Sequence, residues 1–338
     1  MTSNENGNEY VSGQEIRLAF SFTPELAAEM QAWSDFIPTL YMLDICVANV
    51  TKLSQAALDA NARKAALVER LRHLDKPQNS FSYLLALIEK ASGPRAGLTD
   101  EELEAQILHD VAKMRKFFVH AKILEADEFL LGLARVLRHE PPELARDAYL
   151  EFLRRANALG LANPVARADR LQMAHAILAL ADSLSITRQH STVLLSLACL
   201  YGNVAARKVM KFRADPCSFR AENALADIMV ISRFIPLKLQ IEQETRDRGR
   251  GFMRSIFLTD DTGLTEVLSC FKGQKVRFME KNGSHETMLN VKVELATLLT
   301  EINMDMDNPS LADGTQETGQ CEFDRLSAML FEDSMDKA

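Results

Sequence analysis

No stretch of this 338-residue chain approaches the roughly 18 consecutive apolar residues that a membrane span needs. The most apolar candidate, Met173 to Ile186, is broken by His175 and Asp182. The opening MTSNENGNEYVSGQE has neither a basic start nor an apolar stretch, so no signal peptide is expected. Five cysteines (Cys46, Cys199, Cys217, Cys270 and Cys321) are odd in number and nowhere form a CxxC pair. That spacing excludes a disulfide framework and disfavours a zinc site, and it fits buried free thiols in a reducing cytoplasm. The 14 glycines are scattered and compose neither a phosphate-binding loop nor a dinucleotide fingerprint. Seven histidines show no HExxH, and GxSxG is absent, so neither zinc-protease nor serine-hydrolase chemistry is expected. His175 and His190 fall on apolar helical stretches and read as core residues rather than ligands.

What is present is an uneven charge. The net −8 resides in residues 300–338, with ten acidic and two basic positions, which leaves the body neutral. Within that body, residues 203–254 hold eleven Lys and Arg against six Asp and Glu. A neutral body with such a basic stretch can bind a polyanion, and Arg207, Lys208, Lys211, Arg213 and Arg220 are the candidate contacts. A solvated helix face is the competing reading of the same run. The stretch DRGRG (247–251) reads as a loop.

Periodicity orders the chain as follows. Residues 1–14 are polar, with the composition of a disordered end. Ile16, Leu18, Phe20 and Phe22 alternate as a half-buried strand would, and Thr23-Pro24 then opens a helix. Leu40 to Val47 (LYMLDICV) reads as a buried strand, 53–74 as a helix, and 80–92 as another, stopped by Gly93-Pro94. From Leu98 to about Ser185 nearly everything reads helical, beginning with a capping box at Thr99 and Glu102. Apolar helices over 187–201 and 218–234 follow. Two β-rich runs, SIFLT (255–259) and KVRFM (275–279), then bracket a short helix, and a last helix spans 285–303. Near the end of the acidic tail, Phe323, Leu326, Met329 and Leu330 form a short amphipathic motif. A parallel sheet closed by distant parts of the chain, with helices inserted between them, produces this order.

Several carboxylates stand where a purely structural protein would avoid them. Asp44 interrupts LYMLDICV, Asp227 sits inside ALADIMVISRFIP, and Asp260 and Asp261 follow SIFLT directly. Burying such groups unpaired is costly, and gathering them adds like-charge repulsion. A hard divalent cation, Mg2+ or Mn2+, removes that cost through oxygen ligands. Each carboxylate alone has an ordinary explanation; Asp261 before Thr262-Gly263-Leu264, for example, reads as a helix N-cap.

In this order the motifs resemble those of PIN-domain nucleases. LYMLDICVANV is similar to the first acidic motif through Asp44, and ALADIMVIS to the third through Asp227. FLTDDTGL is similar to the fourth, with Thr259 as its threonine, Asp261 at the final aspartate and Asp260 as an extra neighbour. NSFSYLLALIEKAS supplies the second through Glu89, with Glu222 as the alternative. The resemblance covers roughly 36–95 and 187–282, and departs from compact relatives in the long helical stretch between. It implies an α/β, PIN-like three-layer fold with a small parallel sheet and a large, mostly α-helical insertion. The corresponding organisation is a core in two parts, 15–95 and 187–303, an insertion over 96–186, and an acidic, disordered tail over 304–338.

The function implied is metal-dependent phosphodiester hydrolysis, on RNA rather than DNA. Asp44, Asp227, Asp261 and Asp260 would hold Mg2+ or Mn2+, Glu89 would act with them, and Thr259 would orient a carboxylate. A catalytically degenerate PIN-like protein, or a helical scaffold binding nucleic acid or a protein through 98–185 or the acidic tail, is the alternative. A cytoplasmic protein, with no membrane partner and capable of homo-oligomerisation, completes the expectation.

Overall fold

A computed structural model describes residues 23–92, 98–140, 142–143, 145–249, 251–281, 284–302 and 319–331. The strand expected at Ile16 to Phe22 lies outside these residues. The chain divides into two compact units, Met1–Ile37 and Pro38–Ala338. In the first, α1 (Pro24–Asp35) starts as its sequence dictates: the Thr23 side chain accepts from the Leu26 amide, and Pro24 occupies the first turn.

The second unit is built on four parallel strands in the order β3-β2-β1-β4. The central strand β1 (Thr39–Leu43) is buried along its whole length and pairs with β2 (Ser80–Ser82) on one side and β4 (Arg254–Leu258) on the other. Side chains alternate across a strand. Tyr41, Leu43 and Phe81 therefore enter one core with α2 (Ile45–Val50), α4 (Ala62–Leu74), α5 (Leu84–Ser92), α6 (Asp100–Phe117) and α7 (Asp127–His139). Leu40 and Met42 face the other way, toward Leu85, Phe234, Leu237 and Ile241. The last three of these belong to α12 (Ala221–Arg248), so the sheet carries helices on both faces.

A second and larger core is helical. It gathers α8 (Arg146–Ala158), α9 (Arg167–Ser183), α10 (Ser191–Leu200), α11 (Val204–Met210), the first half of α12, and α13 (Thr262–Ser269). The α6 capping box forms with both of its bonds, Glu102 N–H to Thr99 Oγ1 and Thr99 N–H to Glu102 Oε2.

Several elements differ from the expectation. The strand at 40–47 ends at Leu43, and α2 begins at Ile45 with Asp44 as its cap. The helix at 53–74 is two, α3 (Gln55–Asp59) and α4, because the Asn61 side chain takes the Lys64 amide and starts a new helix. The helix at 80–92 begins with β2 instead, because Phe81 is pulled into the core, stacked on Tyr41 and Phe118. Within 96–186, β3 (Lys122–Ile123) joins the sheet edge beside β2, and α6 and α7 pack on the sheet's core.

KVRFM does not enter the sheet. It lies in β5 (Phe271–Lys281), which pairs antiparallel with β6 (Ser284–Val293), and the helix expected over 285–303 is replaced by β6 and the short α14 (Leu295–Leu298). Leu289, Val291 and Val293 alternating with Asn290 and Lys292 have the period of a strand. Part of the expected disordered tail is helix α15 (Gly319–Phe331), whose Leu326 and Leu330 are buried in the helical core. Arg188 and Gln189 donate to the Met329 and Leu330 carbonyls at its end. No described helix is long and apolar enough to cross a membrane.

Candidate active site

The chain leaves β1 for β2 and β3 on one side, whereas β4 is added on the other. The carboxyl ends of β1 and β4 therefore flank a topological switch point, where open parallel sheets place their ligands. Asp44 stands there, its amide bonded to the Leu258 carbonyl at 2.9 Å as the ladder's last rung. Although it precedes α2, its side chain makes no capping bond. The carboxylate instead accepts from Thr259 Oγ1 at 2.5 Å and from Cys46 Sγ at 3.1 Å. Thr259 Oγ1 in turn accepts from the Asp261 amide at 3.0 Å, so one hydroxyl ties the end of β1 to the start of α13. Asp261 caps α13, accepting from the Leu264 amide at 2.9 Å. The close packing of α13 on α11 requires Gly263, because a Cβ there would lie 2.8 Å from Lys208 Cβ and 3.1 Å from the Ala205 carbonyl.

Glu89 on α5 joins them. Burial, then the charges of Asp44 and Asp227, push its carboxyl pKa up to about 8, against a smaller opposing pull from Arg233. Asp227 on α12 is also raised, by burial first, with Asp261 and Asp44 adding to it and Lys211 opposing. Lys211 is bonded to Asp227 and feels Asp261 and Glu89 as well. Burial disfavours its charge, but these carboxylates outweigh burial and hold its pKa above the ordinary value. Its backbone is left-handed, φ 55 and ψ 28, at the C-cap of α11. A residue with a β-carbon adopts that conformation seldom, and such strain concentrates at functional positions. Asp44, Glu89, Asp227 and Asp261, from four separate elements, are thus one electrostatic group with Lys211 in it.

Other expected residues fall elsewhere. Asp260 turns to Arg63, 2.9 Å from its Nε, rather than to the group. Glu222 pairs with Arg154 at 2.6 Å and is not among the groups that act on Glu89 or Asp227. Arg207 donates to the Cys199 carbonyl and so closes the end of α10. Lys208, Arg213 and Arg220 are exposed, while Lys211 serves Asp227. All five cysteines are free, but only Cys199 and Cys270 are buried, and Cys217 is exposed. His175 is exposed rather than in the core, whereas His190 stacks on Tyr149 with ring centroids 4.2 Å apart.

Sequence reasoning missed the support behind Glu89. Its neighbour Lys90 turns inward, and Asp110 accepts from Lys90 at 2.7 Å, Lys52 at 2.7 Å and the Tyr83 hydroxyl at 2.8 Å. Burial acts to raise the Asp110 pKa, but these three donors outweigh it and hold the carboxylate below its ordinary range. The signal was the adjacent pair Glu89-Lys90 in an otherwise apolar helix, two charges that needed partners on two sides.

The donors of the group are carboxylate oxygens, the chemistry that Mg2+ and Mn2+ prefer. As placed, among the described residues no three His, Cys, Asp or Glu side chains are arranged to hold a metal ion together. No family model, no curated protein and no solved structure matches the chain.

Proposed function

We propose that the chain is a metal-dependent nuclease of the PIN-like type, hydrolysing phosphodiester bonds, with RNA as its substrate. The observation that carries this reading is the gathering of Asp44, Glu89, Asp227 and Asp261 around the end of β1, at the switch point of a parallel sheet covered on both faces. Four carboxylates from distant parts of the chain are a costly arrangement that packing alone does not require.

Asp44, Asp227 and Asp261 would hold Mg2+ or Mn2+, with Glu89 beside them, and the bound ion would supply Lewis acidity toward a phosphodiester. The chain's own contribution is positional. Thr259 fixes the Asp44 carboxylate, the cap on α13 fixes Asp261, and Lys211 holds Asp227. The exposed Lys208, Arg213 and Arg220 can take backbone phosphates without reading sequence. The three-layer placement of helices about the parallel sheet supports the PIN-like reading of the fold.

A catalytically degenerate binding protein is the second reading. It is favoured by the Lys211 ammonium bonded to Asp227, which already gives this carboxylate a cation. Single-turnover incubation of chelator-treated protein with a labelled mixed RNA ladder, with and without Mn2+, separates the two. The nuclease reading expects cleavage that needs Mn2+ and is lost in Asp44→Asn, together with a Mn2+-induced rise in Tm absent from that variant. RNA binding without cleavage would establish the degenerate reading, and no response to Mn2+ or RNA would remove both.

A further inference from the structure

The register of the β5–β6 ribbon gathers its basic positions on one face. Paired residues of an antiparallel ribbon share a face, as do residues two apart on one strand. Lys272 pairs with Lys292 and Lys275 with Asn290, and Asn290 and Lys292 are two apart on β6. Lys272 and Lys275 therefore share a side, although three positions separate them. On a regular strand they would fall on opposite sides; the bulge between Gly273 and Lys275 takes up Gln274 and restores them to one. Arg277 and Lys281 follow at the parity of Lys275. One face thus carries Lys272, Lys275, Arg277, Lys281 and Lys292, with Glu286 as the acid among them.

The base of the ribbon fixes which side meets water. Gly273, on the other face, lies so close to α12 that a Cβ would stand 2.6 Å from Ile235 Cγ2 and 2.8 Å from Leu239 Cδ1. Phe271 is buried on that face, and Val291 and Val293 pack on the helical core. The basic side is open there, with the Lys272 and Lys292 side chains 63% and 56% exposed. Glu294 stands between them, 3.3 Å from each ammonium. One carboxylate shared by two exposed ammoniums is a weak restraint that salt screens, and it leaves positive charge in excess.

We propose that the basic face of the β5–β6 ribbon binds the phosphate backbone of a double-helical nucleic acid. The binding stands on the ribbon alone; the choice of RNA rests on the nuclease reading, under which duplex RNA becomes the substrate class. Five cations along about 30 Å of extended chain complement a closely charged polyanion. The occupant is a duplex because none of the described positions on that face is aromatic, whereas proteins hold single strands by stacking bases on aromatic rings as well as by charge. A duplex keeps its bases paired and presents phosphates and 2′-hydroxyls, which a row of Lys and Arg can take without reading sequence.

The test is fluorescence anisotropy of the full chain with a labelled RNA duplex and with one of its strands, chosen not to self-pair. EDTA is present, so that no metal-dependent cleavage intervenes. Saturable binding is expected, at least about tenfold tighter for the duplex. The triple variant Lys275→Gln/Arg277→Gln/Lys281→Gln should weaken duplex binding at least about tenfold at low salt. It should also flatten the slope of log K against log salt by about 2–3, since each phosphate contact contributes about 0.9. Lys113→Gln/Lys116→Gln/Lys122→Gln removes as much charge from exposed positions of α6 and β3 and should change affinity by less than about threefold. If circular dichroism shows the ribbon triple variant to be unfolded, Lys272→Gln/Lys292→Gln tests the same face at its exposed base. This pattern without any cleavage in Mn2+ would remove the nuclease reading and leave the ribbon's role standing. Equal or tighter binding of the single strand, an affinity and salt slope unaltered in the ribbon variants, or an equal loss in the α6–β3 variant would each overturn the proposal. Binding to phosphatidylserine vesicles in place of the duplex would overturn it as well, giving the face to a membrane surface.

Discussion

Glu89→Gln isolates the electrostatic strain of the carboxylate group, because Gln keeps the shape and removes the charge. In the folded chain Glu89 holds its proton up to about pH 8, against an ordinary value of 4.5, owing to burial and then to Asp44 and Asp227. Between those values the native state binds more protons than the unfolded chain, so stability falls as pH rises through the window. Below 4.5 both states are protonated and nothing is lost; above about 8 the loss is complete. At about 1.4 kcal/mol per unit, the upper bound is about 5 kcal/mol. Relaxation and residual contact with water reduce that bound, and about 2 kcal/mol is expected. Wild type and Glu89→Gln should therefore be about equally stable at pH 4.5, and the variant should be the more stable by about 2 kcal/mol at pH 8. Urea unfolding in chelator at both values measures this, and the difference between proteins cancels the other titrating groups. Parallel curves across the window, or a variant less stable at pH 8, would show that Glu89 does not share its surroundings with Asp44 and Asp227.

Asp261→Asn should remove most Mn2+-dependent cleavage while leaving the fold intact, because an Asn oxygen can still cap α13 at the Leu264 amide. Asp260→Asn should cost tenfold or less, about 1.4 kcal/mol of barrier, since that side chain is engaged by Arg63; single-turnover rates with circular dichroism rank the two, and a larger loss at Asp260 would reverse the assignment. Gly263→Ala places a Cβ 3.1 Å from the Ala205 carbonyl, which is backbone and cannot step aside. It should destabilise by about 1–3 kcal/mol despite a better helix propensity, and a neutral urea midpoint would count against the close contact of α11 and α13. Asp110→Asn leaves the buried Lys90 facing an uncharged amide and should cost about 3–5 kcal/mol by the same measurement. A change under about 1 kcal/mol would mean that Lys90 finds water instead.

The carboxylates were legible because each breaks a local pattern: Asp44 an apolar run, Asp227 an apolar helix, Asp261 the step from a strand to a cap. A window of a few residues contains that signal. Glu89 needed the resemblance to be singled out, since one acid on a helix is ordinary. The sheet was legible only at β1 and β4. β2 and β3 have three and two residues, too short for alternation to register, and they exist because Ser80 and Phe81 pair with β1 on one side and with Lys122 and Ile123 on the other. The β5–β6 hairpin has a legible signal, since Asn282-Gly283 between two alternating runs favours a hairpin over the helix expected at 285–303. Lys211 was out of reach. Its bond to Asp227 spans 16 positions, and nothing in VAARKVMKF indicates that Lys211 turns left-handed toward a carboxylate while Lys208 is simply exposed.

What allows four carboxylates to stay together is that two cores close on either side of them. The sheet side brings Asp44, just past β1, and Glu89 on α5; the helical side brings Asp227 on α12 and Asp261 at the cap of α13. Burying one Leu or Phe is worth about 1.5–3 kcal/mol, so two such side chains offset a repulsion of a few kcal/mol. β1 alone buries Leu40 and Leu43 completely, on opposite faces of the sheet. The helix common to both cores is α12. Ile228 and Ile231 lie in the helical core, and Leu237 and Ile241 lie against the sheet. Pro236 stands between these two sets and removes the amide that would bond the Ser232 carbonyl. Asp227 lies on the helical side of that interruption, nine residues before Pro236. Packing therefore sets where the carboxylates are held, whereas charge sets how closely they sit. On that division, pH and divalent ions should change stability through the four carboxylates, while core substitutions such as Leu43→Ala should lower it equally at pH 4.5 and pH 8.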